Sequence, residues 1–231
     1  MFIEFITIEI TNDGLHMYAF DASQVLFLDV NIKKTFFSDF YLKEQVRFIM
    51  KVDMLDKCFT NVKTVESIVF KYEEDKLALL FHRSGGYTSH YQVPEMILQI
   101  AEKVVPPEFK FENEVLFQSY LLQEVIQELK SFHDNNLSVK ISHEALLLEA
   151  NDNLVKSSIS LYNGKTRDFY IIGTAAFDIE FKNSYLLKMD KVLRKLAVKE
   201  CLVQFGKDLP LSMIFETHPT CTFQLFLAPM I

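Results

Sequence analysis

Six histidines, three cysteines and scattered hydroxyls are the raw material from which an active site would be built. Their spacing builds none. Ser89-His90 and Ser142-His143 are adjacent pairs in alternating, strand-like stretches, where neighbouring side chains point to opposite faces, so neither sets a nucleophile beside its base. There is no phosphate-loop glycine pattern, no C-x-x-C and no His-Glu-x-x-His. Cys58, Cys201 and Cys221 are odd in number, far apart and set in apolar patterns, which points to buried free thiols in a reducing compartment. The acidic run Glu73-Glu74-Asp75 reads as turn solvation. No metal, cofactor or enzyme chemistry is expected. What remains is cationic. Lys188, Lys191 and Lys195 recur at i, i+3 and i+7 with Arg194 beside them, in a stretch where Leu186, Leu187, Met189, Leu193 and Leu196 mark a helix over 184–197. Such a row is either a solvated face or one that meets phosphates without reading bases.

The elements that must carry this row belong to an ordinary globular chain. It has 231 residues, 49% hydrophobic and 24% charged, enough for two modest cores. A net charge of −7 argues against a basic nucleic-acid coat but allows positive charge concentrated on one surface. No apolar run approaches the ~18 residues of a membrane span. The opening MFIEFITIEI alternates and lacks a basic n-region, so it reads as a strand and not a signal peptide.

Strands are predicted at 5–10, 15–20, 25–32 and 44–50, the first two joined by the hairpin signal Asn12-Asp13-Gly14. A helix follows over 51–62, with Val52, Leu55, Cys58 and Phe59 on one side, then strands at 67–72, 77–82 and 88–93. At mid-chain, Pro106-Pro107 bars both helix and central strand, and 101–113 reads as a linker between an N-terminal half (1–100) and a C-terminal half (114–231). Beyond it lie a strand at 110–116, a helix at 118–133, strands at 138–142, 145–150, 157–161 and 177–181, the helix at 184–197, and strands at 201–205, 211–216 and 222–228.

The halves match. Residues 8–21 lie over 139–152 at an offset of 131 (Ile10 over Ile141, Asp21 over Asp152), and 69–81 over 203–215 at 134. Element order is shared, which points to an internal duplication. The strand and helix at 110–133 then have their first-half counterpart before Met1: either the start lies too late in the gene, or the first half lacks its opening strand and helix.

Three stretches carry a resemblance. Gly14–Val25 (GLHMYAFDASQV) resembles the G-x-x-x-x-(A/S)-M-D-S-S-H-V segment of proliferating cell nuclear antigen sliding clamps, Leu209–Glu216 (LPLSMIFE) their V-P-L-x-x-E-(Y/F) strand, and the ending FLAPMI their Y-L-A-P-K-I. This resemblance implies an α+β DNA clamp fold: two similar halves of βαβββ units, helices on the inner face and sheets outside, three subunits closing into a ring. It implies a non-enzymatic processivity factor that encircles duplex DNA and tethers polymerases, a clamp loader and repair proteins, and a nuclear location in a eukaryote or otherwise an intracellular one. DNA would be faced by Lys51, Lys57, Lys130, Lys188, Lys191, Arg194 and Lys195. Partner peptides would fill a pocket walled by Phe20, Gln24, Val25, Phe27, Val105, Pro106, Pro107, Pro210, Phe226, Leu227, Ala228, Pro229 and Ile231. Subunits would join through Ser89, His90, Tyr91 and Val93 of one copy against Ser157, Ile159 and Leu161 of the next. The helix at 118–133 departs from the family, since it offers Gln123, Glu124, Gln127 and Glu128 with Lys130 as its basic residue. That departure leaves open a specialised subunit of a heterotrimeric, checkpoint-type ring with weak DNA contact.

Overall fold

The computed structural model describes residues 3–97, 109–132, 134–152 and 154–230. In chain order it forms β1 (Phe5–Thr11), β2 (Gly14–Phe20), β3 (Leu26–Lys33), β4 (Val46–Lys51), α1 (Val52–Cys58), β5 (Val65–Glu73), β6 (Lys76–Arg83) and β7 (Thr88–Pro94). There follow β8 (Asn113–Gln118), α2 (Ser119–Glu128), β9 (Asn136–Ile141), β10 (Ala145–Asn151), β11 (Lys156–Tyr162), β12 (Phe169–Gly173), β13 (Phe177–Lys182), α3 (Asn183–Leu196), β14 (Glu200–Phe205), β15 (Leu211–His218) and β16 (Cys221–Leu227). The secondary structure is α+β, as expected, with mostly antiparallel sheets. Two details differ from the sequence reading. The first helix stops at Cys58 and not at residue 62, and β12 is an additional strand, because FYIIG is a short run ending on a glycine.

The chain divides into two units: Met1–Gln24 with Ile32–Val105, and Val25–Asn31 with Pro106–Ile231. The division falls beside the proline pair, but it assigns Val25–Asn31 to the second unit, where the plain half-and-half reading puts it in the first. The reason is pairing: β3 lies next to β16.

In the first unit, β1 pairs with both β2 and β4, and β5, β6 and β7 form a separate sheet. Ile8, Phe48, Met50, Leu77, Leu79, Phe81 and Val93 make the core, with Cys58 from α1. Alternation does this: every second residue of β6 (Leu77, Leu79, Phe81) is buried. The first hairpin needs its glycine. Gly14 sits at φ 142°, and a Cβ there would lie 2.1 Å from the Ile32 carbonyl oxygen.

In the second unit, β9 pairs with β10 and β13, β10 with β11, β14 with β15 and β8, β15 with β16, and β8 with β12. Helix α2 buries Leu122, Val125 and Ile126, and α3 buries Leu186, Met189 and Leu193. The carbonyls left over where α2 runs out into a 3-10 turn (Leu129–Phe132) are met by the buried Asn183 side chain, whose Nδ2 donates to Leu129 O (2.8 Å) and Phe132 O (3.0 Å).

The duplication holds at the level of pairing. β1, β2, β4, β5, β6 and β7 correspond to β9, β10, β13, β14, β15 and β16, and α1 to α3. Ile6 faces Met50 as Leu137 faces Phe181. One overlay is corrected. Leu79 and Met213 are equivalent, and their partners across the hairpin are Phe70 and Val203. The sequence overlay sets Val69, not Phe70, over Val203. The second hairpin has a longer turn (206–210 against 74–75), and a one-residue slip exchanges the two faces of a strand.

Candidate nucleic-acid and partner-binding surfaces

Helix α3 is closed at its C-terminus by Ala197 in the left-handed conformation (φ 49°), its N–H directed at the Leu193 and Arg194 carbonyls. Arg194 and Lys195 occupy the last turn, where cations are favoured by the helix dipole. Lys191, Arg194 and Lys195 are exposed, and the Lys188 ammonium lies 3.9 Å above the Tyr185 ring. Beneath this row is a carboxylate that the sequence reading misses. Asp190, 1% exposed, accepts from Gln127 Nε2 of α2 (2.7 Å) and from Arg194 Nε (2.9 Å). Arg194 Nη2 also donates to the Gln123 carbonyl at 3.3 Å. The Asp190–Arg194 spacing of four is a visible signal; the reach across to α2 is not. Arg194 is therefore partly committed to holding two helices together, while Lys191 and Lys195 are the more available cations. Glu124, Gln127, Glu128 and Lys130 lie on α2 and its 3-10 extension, and all four are exposed. An acidic helix flanks the basic one. In the first unit, Lys51 lies between Glu4 (3.9 Å) and Asp53 (3.7 Å), and Lys57 stands exposed in the last turn of α1.

The expected pocket residues distribute as follows. In the second unit, Phe27 and Phe226 face each other at 6.1 Å, and Phe109 joins Phe226 at 5.9 Å and Phe111 at 5.8 Å. Ala228 N–H donates to Val25 O (2.9 Å), tying the chain's end to the start of β3. Pro210, Ala228 and Pro229 are half-buried and Met230 is exposed, so a partly open apolar surface exists here. Leu227, Phe27 and Phe226 do not contribute exposed surface to it: at 0%, 4% and 8% exposure they belong to the core beneath. In the first unit, Phe20 is 40% exposed, and Gln24 adopts φ 56° in a turn closed by its own N–H to Asp21 O (2.9 Å). Val105, Pro106, Pro107 and Ile231 lie outside the described residues.

Strands β7 and β11 each pair on one side alone among the described residues. On β7, Ser89, Tyr91 and Val93 turn inward while His90 is exposed; Ser89 Oγ accepts from Arg83 Nε (3.0 Å) and Tyr91 packs edge-on against Phe81. On β11, Ser157, Ile159 and Leu161 form the half-buried set. Glu149 of β10 braces this edge by accepting from Lys156 (2.6 Å) and Lys140 (2.7 Å), and those two bonds hold its carboxyl down at about 2.

Cys58, Cys201 and Cys221 are buried free thiols, and burial pushes Cys58 and Cys201 up. His143 Nδ1 lies 2.9 Å from the Gly173 carbonyl, not at a serine. Among the described residues no group of three or more His, Cys, Asp or Glu is placed to hold a metal, and no helix is long and apolar enough to cross a membrane.

One plan used twice, with β16 paired to β3 inside the second unit and their counterparts β7 and β11 left as edge strands among the described residues, defines a duplicated α+β protein. The sequence model described as "Proliferating cell nuclear antigen, N-terminal domain" matches residues 2–102. A protein of Thermococcus onnurineus named "DNA polymerase sliding clamp" is 23% identical, across 96% of this chain and 88% of its own. "DNA polymerase sliding clamp 3" of Sulfurisphaera tokodaii is 21% identical over 99% and 91%, and a clamp of Thermococcus gammatolerans 24% over 96% and 88%. Residues 2–102 thus match the N-terminal domain of the proliferating cell nuclear antigen family, and nearly the whole chain is similar, at low identity, to DNA polymerase sliding clamps.

Proposed function

We propose that this chain is a DNA sliding clamp, a non-enzymatic processivity factor that encircles duplex DNA and tethers a polymerase, a clamp loader and repair proteins. The observation that carries the reading is the repeated seam. β16 and β3 already pair within the chain, and the duplication makes β7 and β11 their counterparts. Joining β7 of one copy to β11 of the next repeats a contact the fold makes once, through a heterologous interface that closes into a ring. Ser89, His90, Tyr91 and Val93 would meet Ser157, Ile159 and Leu161 there. Lys188, Lys191 and Lys195, with Lys51, Lys57, Lys130 and the partly committed Arg194, would offer phosphates charge without base readout. Partner peptides would dock on the apolar surface of Pro210, Ala228 and Pro229 above the buried Phe27 and Phe226, with Phe20, Gln24, Val25, Val105, Pro106, Pro107 and Ile231 as its further expected wall. The protein would act inside the cell, in the nucleus of a eukaryote.

Light scattering tests the ring: a trimer of the 27.0 kDa chain, retained on circular but not on linear DNA, is expected. Pro229→Ala with Ile231→Ala should weaken partner peptides and leave the oligomer mass unchanged. A second reading, a specialised subunit of a heterotrimeric ring, is favoured by the acidic face of α2 beside α3. A chain that stays monomeric alone and assembles with sister chains would select it.

A further inference from the structure

Directly opposite residues of antiparallel strands share one face of a sheet, and on the second unit one such row is apolar. It crosses four strands through Tyr170 of β12, Leu116 of β8, Leu202 of β14 and Ile214 of β15. Their neighbours Ile171, Val115, Val203 and Met213 turn the other way and are buried in the core. Tyr170, Leu116 and the adjoining Ile172 are 54%, 38% and 50% exposed, and Leu202 and Ile214 are half-buried. Single exposed apolar residues are ordinary, whereas five adjoining ones on consecutive strands form a contact surface. Carboxylates stand on both sides of the row. On one side Glu114 is fixed by a chain of bonds: Gln224 Nε2 donates to Ser212 Oγ (2.9 Å), Ser212 Oγ to Gln204 Oε1 (3.1 Å) and Gln204 Nε2 to Glu114 Oε1 (2.8 Å). On the other, Glu200 accepts from Gln118 Nε2 (2.7 Å) and Glu216 is exposed. Among the described residues no lysine or arginine forms an ion pair with any of the three. The outer edge of β12 is not open to a further strand at Ile171, whose N–H donates to Asn163 Oδ1 (3.0 Å) and whose carbonyl accepts from Asn163 Nδ2 (3.2 Å).

We propose that this face docks a short amphipathic helix with one apolar stripe and Lys or Arg on both flanks, carried by the same partner whose peptide occupies the surface of Pro210, Ala228 and Pro229. The inference rests on that reading of the partner surface. Length selects the helix: at ~4.8 Å per strand the row spans about 14 Å, or about three helical turns. Charge selects the flanks, because unpaired carboxylates on both sides of an apolar row favour cations there and disfavour acidic segments. Continuity selects the partner. One step along β15 from Ile214, Ser212 lies opposite Phe226, which underlies the partner surface. The counterpart row of the first unit, Val69, Leu80 and His90, lacks this chemistry. Ser67 and Lys71 stand there in the places of Glu200 and Gln204, so the second unit alone suits a basic helix.

The test is fluorescence anisotropy on the full chain. The probe is a synthetic helix with leucines on one stripe and lysines on both flanks, and its twin carries glutamate in place of lysine. The probe should bind at least ~10-fold more tightly than the twin. Leu116→Asp should weaken the probe at least ~10-fold, and so should Glu114→Gln with Glu200→Gln, which keeps the shape of the face if the first variant fails to fold. Val69→Asp on the first unit, and Pro229→Ala with Ile231→Ala on the partner surface, should leave its affinity unchanged. No binding, equal binding of the twin, or affinity that follows either of the last two variants in place of the first two overturns the proposal. Protein from its natural source in which Tyr170 resists nitration before any partner is added would place the occupant in the same polypeptide, and overturns the partner as its source. The assay uses neither ring nor DNA. A trimer that ignores the probe therefore breaks this inference alone, and a monomer that binds it breaks the clamp reading alone.

Discussion

Phe70 and Val203 occupy the same place in two copies of one plan, yet the larger side chain is 47% exposed and the smaller 2%. Nothing in the strands themselves accounts for this. Both strands pair with an equivalent neighbour, and both face a fully buried residue, Leu79 or Met213. The difference lies above the sheet and at its edge, where α2 and β8 cover Val203 and no described residue covers Phe70. Burial is thus made by the third layer rather than by residue type. Positions close to the sheet-to-sheet contact stay dry in both units, and positions that depend on the cover do not.

Breaking the comparison at these two positions should give the largest effect. Val203→Asp strands a charge in a closed core and is expected to cost about 3–5 kcal/mol or to unfold the second unit. Phe70→Asp should stay within about 1 kcal/mol, since its side chain reaches water. Denaturant melts of the two variants compare them directly; equal losses would mean that Phe70 is covered in solution.

The helices supply the next contrast. Asp190 corresponds to Phe59, which packs edge-on against Phe81 at 5.3 Å, whereas Asp190 bridges Gln127 and Arg194. Asp190→Asn keeps one acceptor and loses the charge, so the α2–α3 seam should weaken by about 1.5–3 kcal/mol, read as a lower midpoint with an unchanged m-value. Arg194 would be released toward solvent, and DNA affinity should not fall.

Most of the elements are legible because alternation and helical spacing are local. The hairpin at Asn12-Asp13-Gly14, the apolar side of α3 and the strands of both copies stand where the sequence places them. Three things are not legible, each because it depends on a partner distant in sequence. β12 is a strand by virtue of lying along β8. Val25–Asn31 joins the second unit by virtue of β16. The register of the second hairpin depends on a turn length that the overlay does not reveal. In the candidate surfaces, the lysine row of α3 is readable from its spacing, but the partial capture of Arg194 by Asp190 and α2 is not, and the buried Phe226 and Leu227 are indistinguishable in sequence from the half-buried Ala228 and Pro229.

A third, smaller effect concerns charge. If α3 meets phosphates, Lys191→Ala with Lys195→Ala should reduce the slope of log affinity against log salt by about 2, close to one unit for each cation removed. Glu124→Lys with Glu128→Lys on the neighbouring helix should raise affinity and steepen the slope. Unchanged slopes in both pairs would leave these faces as solvated surfaces.

The smallest effects come from two clusters that hold the same register positions with inverted charge. In the second unit Lys140 lies opposite Asp178 and bonds Glu149; in the first, Glu9 lies opposite Arg47 and accepts from the Tyr18 hydroxyl at 3.0 Å. Glu149 is held down at about 2, from an ordinary 4.5, by its bonds to Lys140 and Lys156. Its contribution to stability is complete above about pH 4.5 and is lost as the pH falls toward 2. Tyr18 is pushed up from its ordinary 10.0 by burial and then by the bond to Glu9, so its contribution is complete below that value and is lost as the pH rises past it. Thermal melts should therefore separate Glu149→Gln from the parent at pH 7 and merge with it by about pH 2. Tyr18→Phe should differ from the parent at about pH 7 and converge with it only on the alkaline side. If both variants converge at the same end of the pH scale, the inversion of the two clusters has no energetic counterpart.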